Sequence, residues 1–312
     1  MCDIWKRKPE GELTLEEIEQ FFQKNNRFSW VNLTGGEMFL RKDAYDIIES
    51  ILRNCKGLFL LDFPTNGIIK KRTVETVKKT LALRPKRLMV TVSIDGPPDL
   101  HDEIRGVRGA WHKSISTYKA LRELQQKNYQ VFLGMTLIPK NFDQIEATIE
   151  AVRTEIKDMQ REDFHINIGQ ESGHYYENTG LFENGREFMR QSLESFVRLK
   201  KRSFHPVSLL EDRYQNLAKE FIGTGKSPVP CQALSSSCFL DSFGFVYPCS
   251  IYDTRVANIR DNNYSLKNIW KSTRVRKLRK EILGGDCPQC WSPCEAYQTI
   301  LGNLFHPKVL MK

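Results

Sequence analysis

The first half of the chain alternates short apolar segments with amphipathic ones, and this alternation limits the fold more than any other feature. The clearest strand-like segment is Arg87–Ile94, in which nearly every residue is apolar or β-branched. Such a composition is typical of a strand buried on both faces of a parallel sheet. Helix-like segments lie before and after it, at Thr73–Leu83 and at about Lys113–Gln126. The pattern predicts βα units around a parallel sheet.

The same alternation extends in both directions from that strand. Further helices are predicted at Thr14–Lys24, Asp43–Asn54 and Phe142–Lys157, and further strands around Trp30 and at Gly57–Phe63, Gln130–Leu137 and Asp163–Ile168. Thr14 is the expected N-cap of the first helix, and Glu17 completes a capping box. With one more strand expected ahead of Cys2, we predict an α/β fold with a partial (β/α)6 TIM-type barrel. In such barrels the chemistry lies at the carboxyl ends of the strands.

A second, cysteine-rich part follows the predicted barrel. Residues from about Phe182 to Ile222 are expected to form two long helices, and the turn-rich Gly223–Pro230 marks a boundary, which gives domains 1–222 and 223–312. Six of the eight cysteines fall between Cys231 and Cys294. In a large chain without an evident signal peptide or membrane-length apolar run, their spacing indicates metal or cluster ligands rather than disulfides. A cytoplasmic location is expected.

The net charge of +9 is compatible with an acidic protein partner or with a nucleic acid. The cations are scattered over Lys70–Arg72, Lys200–Arg202 and Arg274–Lys280, and no nucleic-acid-binding motif accompanies them. Solvated surfaces therefore explain them better than RNA contacts. An RNA-binding module stays an alternative that steep salt dependence of binding would reveal.

The segment Ser29–Leu40 contains the most distinctive turn of the chain. An apolar strand is broken by Gly35–Gly36, where the absence of Cβ atoms lets backbone amides approach a ligand closely. Glu37 follows directly and places a carboxylate at the end of the strand, which suits a ligand with a free amino group. An ordinary tight turn is the alternative for these residues taken alone.

Together with Met1-Cys-Asp-Ile-Trp5, this turn resembles the radical S-adenosylmethionine (SAM) superfamily. That family has Cys-x3-Cys-x2-Cys after its first barrel strand and Gly-Gly-Glu after its second. The resemblance implies that Cys2 is the third ligand of a [4Fe–4S] cluster, with the first strand and two ligands ahead of residue 1. Three thiolates hold three irons and leave the fourth for SAM. We expect a truncated start; a fragment or a degenerate member are the alternatives, and this form of the enzyme can be inactive.

The resemblance also implies a cofactor role for each strand end. Gly35, Gly36 and Glu37 would receive the amino group of SAM, and Ser93 and Asp95 would face its ribose. The other positions implied are Thr65, Asn66, Thr136 and Ile138, and Asn167 and Gln170 would contact SAM or substrate. Ordinary turn capping is the alternative for the positions after Glu37.

A second resemblance lies in Ser93–Pro98 together with Leu100–Gly106. These segments resemble the Ser-Leu-Asp-Gly…His-Asp…Arg-Gly stretch of radical SAM enzymes that carry an extra cluster domain. Asp102 and Arg105 are three residues apart, a spacing that permits a structural ion pair within a helical turn or a hold on a substrate carboxylate.

The C-terminal cysteines form two groups. Cys231-x12-Gly244-x4-Cys249 encloses a predicted hairpin, Phe239–Tyr247, whose arms would bring the two cysteines to a common end. The second group reads Cys-x2-Cys-x3-Cys and ends at Cys294. This arrangement resembles the twitch and SPASM auxiliary-cluster domains and implies one auxiliary [4Fe–4S] cluster of twitch type.

The ligands of that cluster are predicted to be Cys231, Cys249, Cys287 and Cys290. Cys238 and Cys294 are further candidates, either of which could replace one of the four. A zinc site with four thiolates is the competing interpretation. Cys55, alone at the end of a predicted helix, is expected to be a packing residue.

The function implied is that of a radical SAM oxidoreductase. A reduced cluster would cleave SAM to a 5′-deoxyadenosyl radical, which abstracts hydrogen from an unidentified small-molecule or peptide substrate. The auxiliary cluster would either anchor the substrate or take the surplus electron of an oxidation, and electron transfer is the favoured role. A flavodoxin or ferredoxin, typically acidic, would be the external reductant of this positively charged enzyme. Generic pocket residues are His165, His174, Tyr175 and Tyr176. A non-catalytic zinc- or iron–sulfur-binding protein on a degenerate barrel is the alternative.

Overall fold

Five parallel strands form a half-barrel in the computed structural model, which describes residues 2–6, 8, 10–180, 186–199 and 206–310. The strands lie side by side in chain order: β1 Trp30–Asn32, β2 Leu60–Thr65, β3 Leu88–Ser93, β4 Tyr129–Leu137 and β5 Phe164–Ile168. The predicted partial barrel is therefore confirmed with five strands. The further strand predicted ahead of Cys2 is not among the described residues.

Helices cover the outer face of the sheet. Those of the barrel part are α1 Leu15–Lys24, α2 Ala44–Asn54, α3 Lys70–Ala82, α4 Pro98–Arg105, α5 Ala110–Arg122, α6 Ile145–Glu155, α7 Arg186–Leu199 and α8 Pro206–Thr224. The predicted capping box is present at α1, where the Thr14 hydroxyl accepts from the Glu17 amide. Helix α4 was not predicted, although Pro98 at its first position is a common helix start. Phe182, the expected start of the long helices, lies outside the described residues.

The two faces of the sheet differ in burial. On β3, Leu88, Val90 and Val92 are fully buried against the helices, whereas Thr91 and Ser93 on the other face are only half-buried. The expectation that this strand is buried on both faces was wrong, because a half-barrel leaves its concave side open. We call this side the interior face. It is the side on which a parallel barrel offers room to a ligand.

The C-terminal part contains a small antiparallel sheet and four helices. Its elements are β6 Phe239–Leu240, β7 Phe245–Tyr247, β8 Ala257–Asn258, α9 Leu266–Trp270, α10 Thr273–Gly284, α11 Pro293–Gly302 and α12 Pro307–Leu310. The predicted hairpin is confirmed, and the Asp241 carboxylate accepts from the amides of Phe243 and Phe245 in its turn. Helix α10 begins separately from α9, and the Ser272 hydroxyl caps it by accepting from the Val275 amide.

The two parts of the chain share one hydrophobic core. Arg260 of the C-terminal part forms an ion pair of 2.6 Å with Glu17 of α1, and this pairing lowers the pKa of Glu17 to about 2. On the other side, the Trp291 indole donates to the backbone carbonyl of Tyr214 in α8 at 3.0 Å. No helix in the described part of the chain is long and apolar enough to cross a membrane.

Candidate functional site

The Glu37 carboxylate joins the ends of β1 and β2. It accepts a hydrogen bond from the Asn66 amide at 2.7 Å and from the Thr65 hydroxyl at 3.1 Å. Gly35 holds φ at +136°, a backbone conformation that favours glycine. Burial raises the pKa of Glu37, and these hydrogen bonds oppose the increase. Thr65 and Asn66 thus position this carboxylate, and their predicted contacts with the cofactor stay predictions.

Tyr175 braces the Gly-Gly-Glu turn from the far end of the half-barrel. Its hydroxyl lies 2.6 Å from the Thr34 hydroxyl and accepts from the Gly35 amide at 3.1 Å. Burial raises the pKa of Tyr175 well above its usual value, so the hydroxyl stays protonated. The sequence marked Tyr175 only as a generic pocket residue, and nothing local in it points to a partner 140 residues away.

Cys2 lies beside this turn. The side chain of Ile4 reaches within 4.0 Å of the position that a Cβ on Gly36 would occupy, and the Asp3 amide donates to the Tyr176 carbonyl at 2.8 Å. Burial raises the pKa of the Cys2 thiol and of the Glu37 carboxyl group, and the nearby charge of Arg105 opposes that increase at both. The structure therefore brings the Cys2 segment, the Gly-Gly-Glu turn and one cation together.

Asp95 is the anchor of that cation. Its side chain is 0% exposed, its Oδ2 lies 2.5 Å from Arg105 Nη2, and its Oδ1 accepts from the Thr136 amide at 3.0 Å. Both carboxylate oxygens of Asp95 therefore have partners within the protein, and its contact with a ribose stays a prediction. Arg105 forms a structural ion pair, but its partner is Asp95 rather than Asp102, which accepts from the Gly109 and Trp111 amides.

The remaining residues that were predicted to contact the cofactor differ in how deeply they are buried. Ser93 and Thr136 are half-buried on the interior face, where they can reach a ligand. Ile138 is buried, and its amide donates to the Asn141 side chain at 2.8 Å. Asn167 is half-buried at the end of β5, and Gln170 uses its carbonyl to accept from Asn178. Their contacts with a cofactor stay predictions.

The generic pocket residues do not form one group. His165 stacks on Phe132 on the interior face, with ring centroids 4.0 Å apart. His174 stacks on Tyr247 of the C-terminal sheet at 4.4 Å and lines a separate surface cavity of about 660 Å³. Tyr175 contacts the turn, and Tyr176 contacts the Cys2 segment.

Four cysteines line one cavity of about 390 Å³ in the C-terminal part. They are Cys231, Cys249, Cys287 and Cys290, the four that were predicted as ligands. A hydrogen bond with Cys290, and then burial, raise the pKa of Cys249 well above its ordinary value, and burial raises that of Cys231 to about 12. Thiols with such high pKa values stay protonated until a metal replaces their protons.

The donor set fits a cubane cluster, which takes four thiolates. Cys231, Cys249, Cys287 and Cys290 lie around one cavity and could supply these four thiolates.

Cys238 and Cys294 do not line this cavity, but Glu295 does. Burial raises the pKa of Glu295 to about 8, and the Ser237 hydroxyl donates to it at 2.8 Å. Burial also raises the pKa of Cys238 and Cys294 to about 12. Nothing in the sequence singled out Glu295, because glutamate is common in the first turn of any helix.

Two family models match the chain. Residues 1–152 match the Radical SAM superfamily, and residues 231–291 match SPASM, an iron–sulfur cluster-binding domain. The chain therefore has a radical SAM domain followed by a SPASM domain, and the predicted resemblance is confirmed. The first domain binds SAM and a [4Fe–4S] cluster, and the second binds auxiliary iron–sulfur clusters.

Several characterised proteins are similar to it along most of its length. It is 26% identical to the AdoMet-dependent heme synthase of Methanosarcina barkeri (strain Fusaro / DSM 804), over 90% of this chain and 80% of that one. It is 24% identical to the antilisterial bacteriocin subtilosin biosynthesis protein AlbA of Bacillus subtilis, over 84% of this chain but only 54% of AlbA. The fold is similar to that of native anSMEcpe with bound AdoMet, with a TM-score of 0.56, 16% identity, and coverage of 87% and 74%.

Proposed function

We propose that the chain is a radical SAM oxidoreductase that binds SAM at the Gly-Gly-Glu turn and its substrate on the interior face of the half-barrel. The observation that carries this proposal is the arrangement of Glu37, which Thr65 and Asn66 hold beside Cys2 and Arg105. When bound, the cluster and SAM supply one-electron cleavage of SAM and hydrogen abstraction.

The residues of the turn have distinct tasks in this proposal. The Glu37 carboxylate accepts a hydrogen bond from the amino group of SAM, while the backbone at Gly35 and Gly36 permits SAM to approach closely. Arg105, fixed by Asp95, supplies positive charge next to the SAM carboxylate. Tyr175 keeps the turn in place from behind. We propose a peptide or small-molecule substrate, because one relative is named for bacteriocin biosynthesis and another is named a heme synthase.

Four cysteines around the C-terminal cavity support a single, fully ligated auxiliary cluster. An iron that is already bound by thiolate cannot bind substrate, so we assign the cluster to electron transfer rather than to substrate binding.

Substituting Glu37 by glutamine tests the SAM site. The variant keeps the shape of the side chain but loses its charge, so a charge-assisted hydrogen bond of about 1.5–3 kcal/mol is lost. We expect the Kd for SAM to rise about 10- to 150-fold, measured by anaerobic calorimetry on the iron-reconstituted chain. Glu75→Gln, on the exposed surface of α3, is the matched control and should not change the Kd. Equal affinities in the two variants would contradict the proposal.

An acidic electron carrier, a flavodoxin or ferredoxin, is the partner we propose, and α10 is its docking surface. The buried residues of α10 are Val275, Leu278 and Ile282, which leaves Arg276, Lys277 and Lys280 on the solvent side. The end of the same helix lines the cysteine cavity, and Arg279 donates to the Cys231 carbonyl at 2.5 Å. The cationic surface therefore lies within a few helical turns of the auxiliary cluster site.

Charge reversal on α10 tests this docking surface. In the variant Arg276→Glu, Lys277→Glu, Lys280→Glu, we expect reduction of the iron–sulfur centres by an acidic flavodoxin to slow about tenfold at low ionic strength. The difference should disappear at about 0.5 M salt, because screening removes steering between exposed charges. The reaction is followed by bleaching of the cluster absorbance in stopped flow. The control reverses Lys70, Lys71 and Lys78 on α3, and an equal effect there would show that only net charge matters.

A further inference from the structure

The interior face carries a carboxylate that the cofactor site does not use. Asp62 on β2 lies opposite Asn32 on β1 in the register of the sheet. Its two oxygens accept hydrogen bonds from the Trp30 indole and from the Asn32 side-chain amide. We call these three residues the Asp62 cluster.

The Asp62 cluster is within reach of the cofactor site. Asp62 is three residues before Thr65, which holds Glu37, and at about 3.3 Å per strand residue this places it roughly 10 Å from the strand end. Its neighbours Leu61 and Phe63 are buried against the helices on the other face, while the three cluster residues are half-buried. Each cluster residue therefore keeps part of its surface exposed.

The charge of Asp62 has no counterpart in the described part of the chain. Its donors there are neutral, and no cation forms an ion pair with it. The titratable groups that face it from α11 are Cys294 and Tyr297, both of which can only add negative charge. Burial raises the pKa of Asp62 to about 6, although the two hydrogen bonds act to lower it. A half-buried anion in such surroundings is stabilised by a cation from outside.

Aromatic rings complete the surroundings of the cluster. Trp30 packs on Tyr297 of α11 with ring centroids 6.1 Å apart, and the Tyr297 hydroxyl bonds with the buried Glu211 of α8. Ring faces beside a carboxylate favour ammonium and guanidinium groups through cation–π attraction. The same surroundings repel a carboxylate or phosphate group of a ligand.

We propose that Trp30, Asn32 and Asp62 form a substrate subsite that takes a protonated amine or a guanidinium group. This subsite rests on the proposed function, because it assumes that the substrate enters the interior face below SAM. It restricts the substrate class to molecules with a cationic group about 10 Å from the strand-end position of Glu37.

The test compares three small probes on the iron-reconstituted chain: n-butylammonium, n-butanol and n-butyrate, each followed by saturation-transfer NMR at pH 7.5. We expect n-butylammonium to bind with a Kd in the millimolar range, as suits so small a ligand. Butanol and butyrate should bind at least about tenfold more weakly, since neither supplies a positive charge. In Asp62→Asn the ammonium should also lose about tenfold in affinity, whereas Asp46→Asn, on the exposed side of α2, should not change it.

Equal binding of butanol and butylammonium to the unsubstituted chain would overturn the subsite, and this comparison needs no variant. Equal ammonium binding by the chain and by Asp62→Asn would overturn it as well. SAM binding is measured on the same samples, so the two proposals fail separately. If the chain binds SAM but not n-butylammonium, only the subsite is contradicted. If the chain does not bind SAM, the proposed function itself is contradicted.

Discussion

Substituting Cys249 by serine is expected to remove about four iron atoms and four sulfide ions per chain, whereas Cys238→Ser should remove none. Cys249 lines the cavity together with Cys231, Cys287 and Cys290, and Cys238 does not. A cubane that loses one of four thiolates is left with an exposed iron and is released or degraded. Cys249 is also buried within the shared core, so its loss should destabilise the C-terminal part as well.

Iron, sulfide and zinc are determined after anaerobic reconstitution and desalting of each variant. Cys294→Ser is a second control, because Cys294 is as buried as Cys238 and also lies outside the cavity lining. Iron loss in either control, with retention in Cys249→Ser, would show that the ligand set is a different four of the six cysteines. Finding one zinc ion per chain and no sulfide would show that the site holds structural zinc and not an auxiliary cluster.

The second large effect is expected for Asp95→Ala. This change removes the partner of Arg105 and leaves a cation that is only 23% exposed beside an apolar gap. Breaking one side of a buried ion pair costs about 3–5 kcal/mol of unfolding free energy. The Thr136 amide loses its acceptor and the Arg105 guanidinium loses its ion-pair partner, so the ends of β3 and β4 should loosen together.

Urea denaturation of chains with the same iron content measures the effect, provided that the slope m is unchanged. The matched control is Asp158→Ala, which removes the partner of Arg122 from an ion pair of 2.9 Å in which Asp158 is 73% exposed. There we expect a much smaller loss of unfolding free energy, because exposed ion pairs contribute little. Similar losses in both variants would mean that burial does not govern the Asp95 pair.

Local features of the molecule were predictable from the sequence. The capping box of α1 needs only Thr14 and Glu17, and the hairpin turn of the C-terminal sheet needs only Asp241 and Gly244, since each depends on neighbours in the chain. The Gly-Gly-Glu turn was found for the same reason. The resemblance to twitch and SPASM domains pointed to four of the six C-terminal cysteines while leaving the other two open, and those four line the cavity.

Contacts between distant segments were not predictable. The Tyr175 hydroxyl meets Gly35 only because β5 and β1 stand at opposite edges of a sheet that curves, and curvature leaves no local pattern. The partner of Asp95 was not predictable either, because a side chain at a strand end can turn towards either the ligand or the next helix. Here α4, which was not predicted, brings Arg105 to it.

The shared core has a consequence for exchanging parts between relatives. Glu17 depends on Arg260, and Tyr214 on Trp291, so each half of the chain supplies partners that the other needs. A C-terminal half grafted from another family member would meet α1 and α8 surfaces shaped for different side chains. Chimaeras of this protein should therefore exchange α1 and α8 together with the iron–sulfur half, and the two halves are expected to change together during evolution.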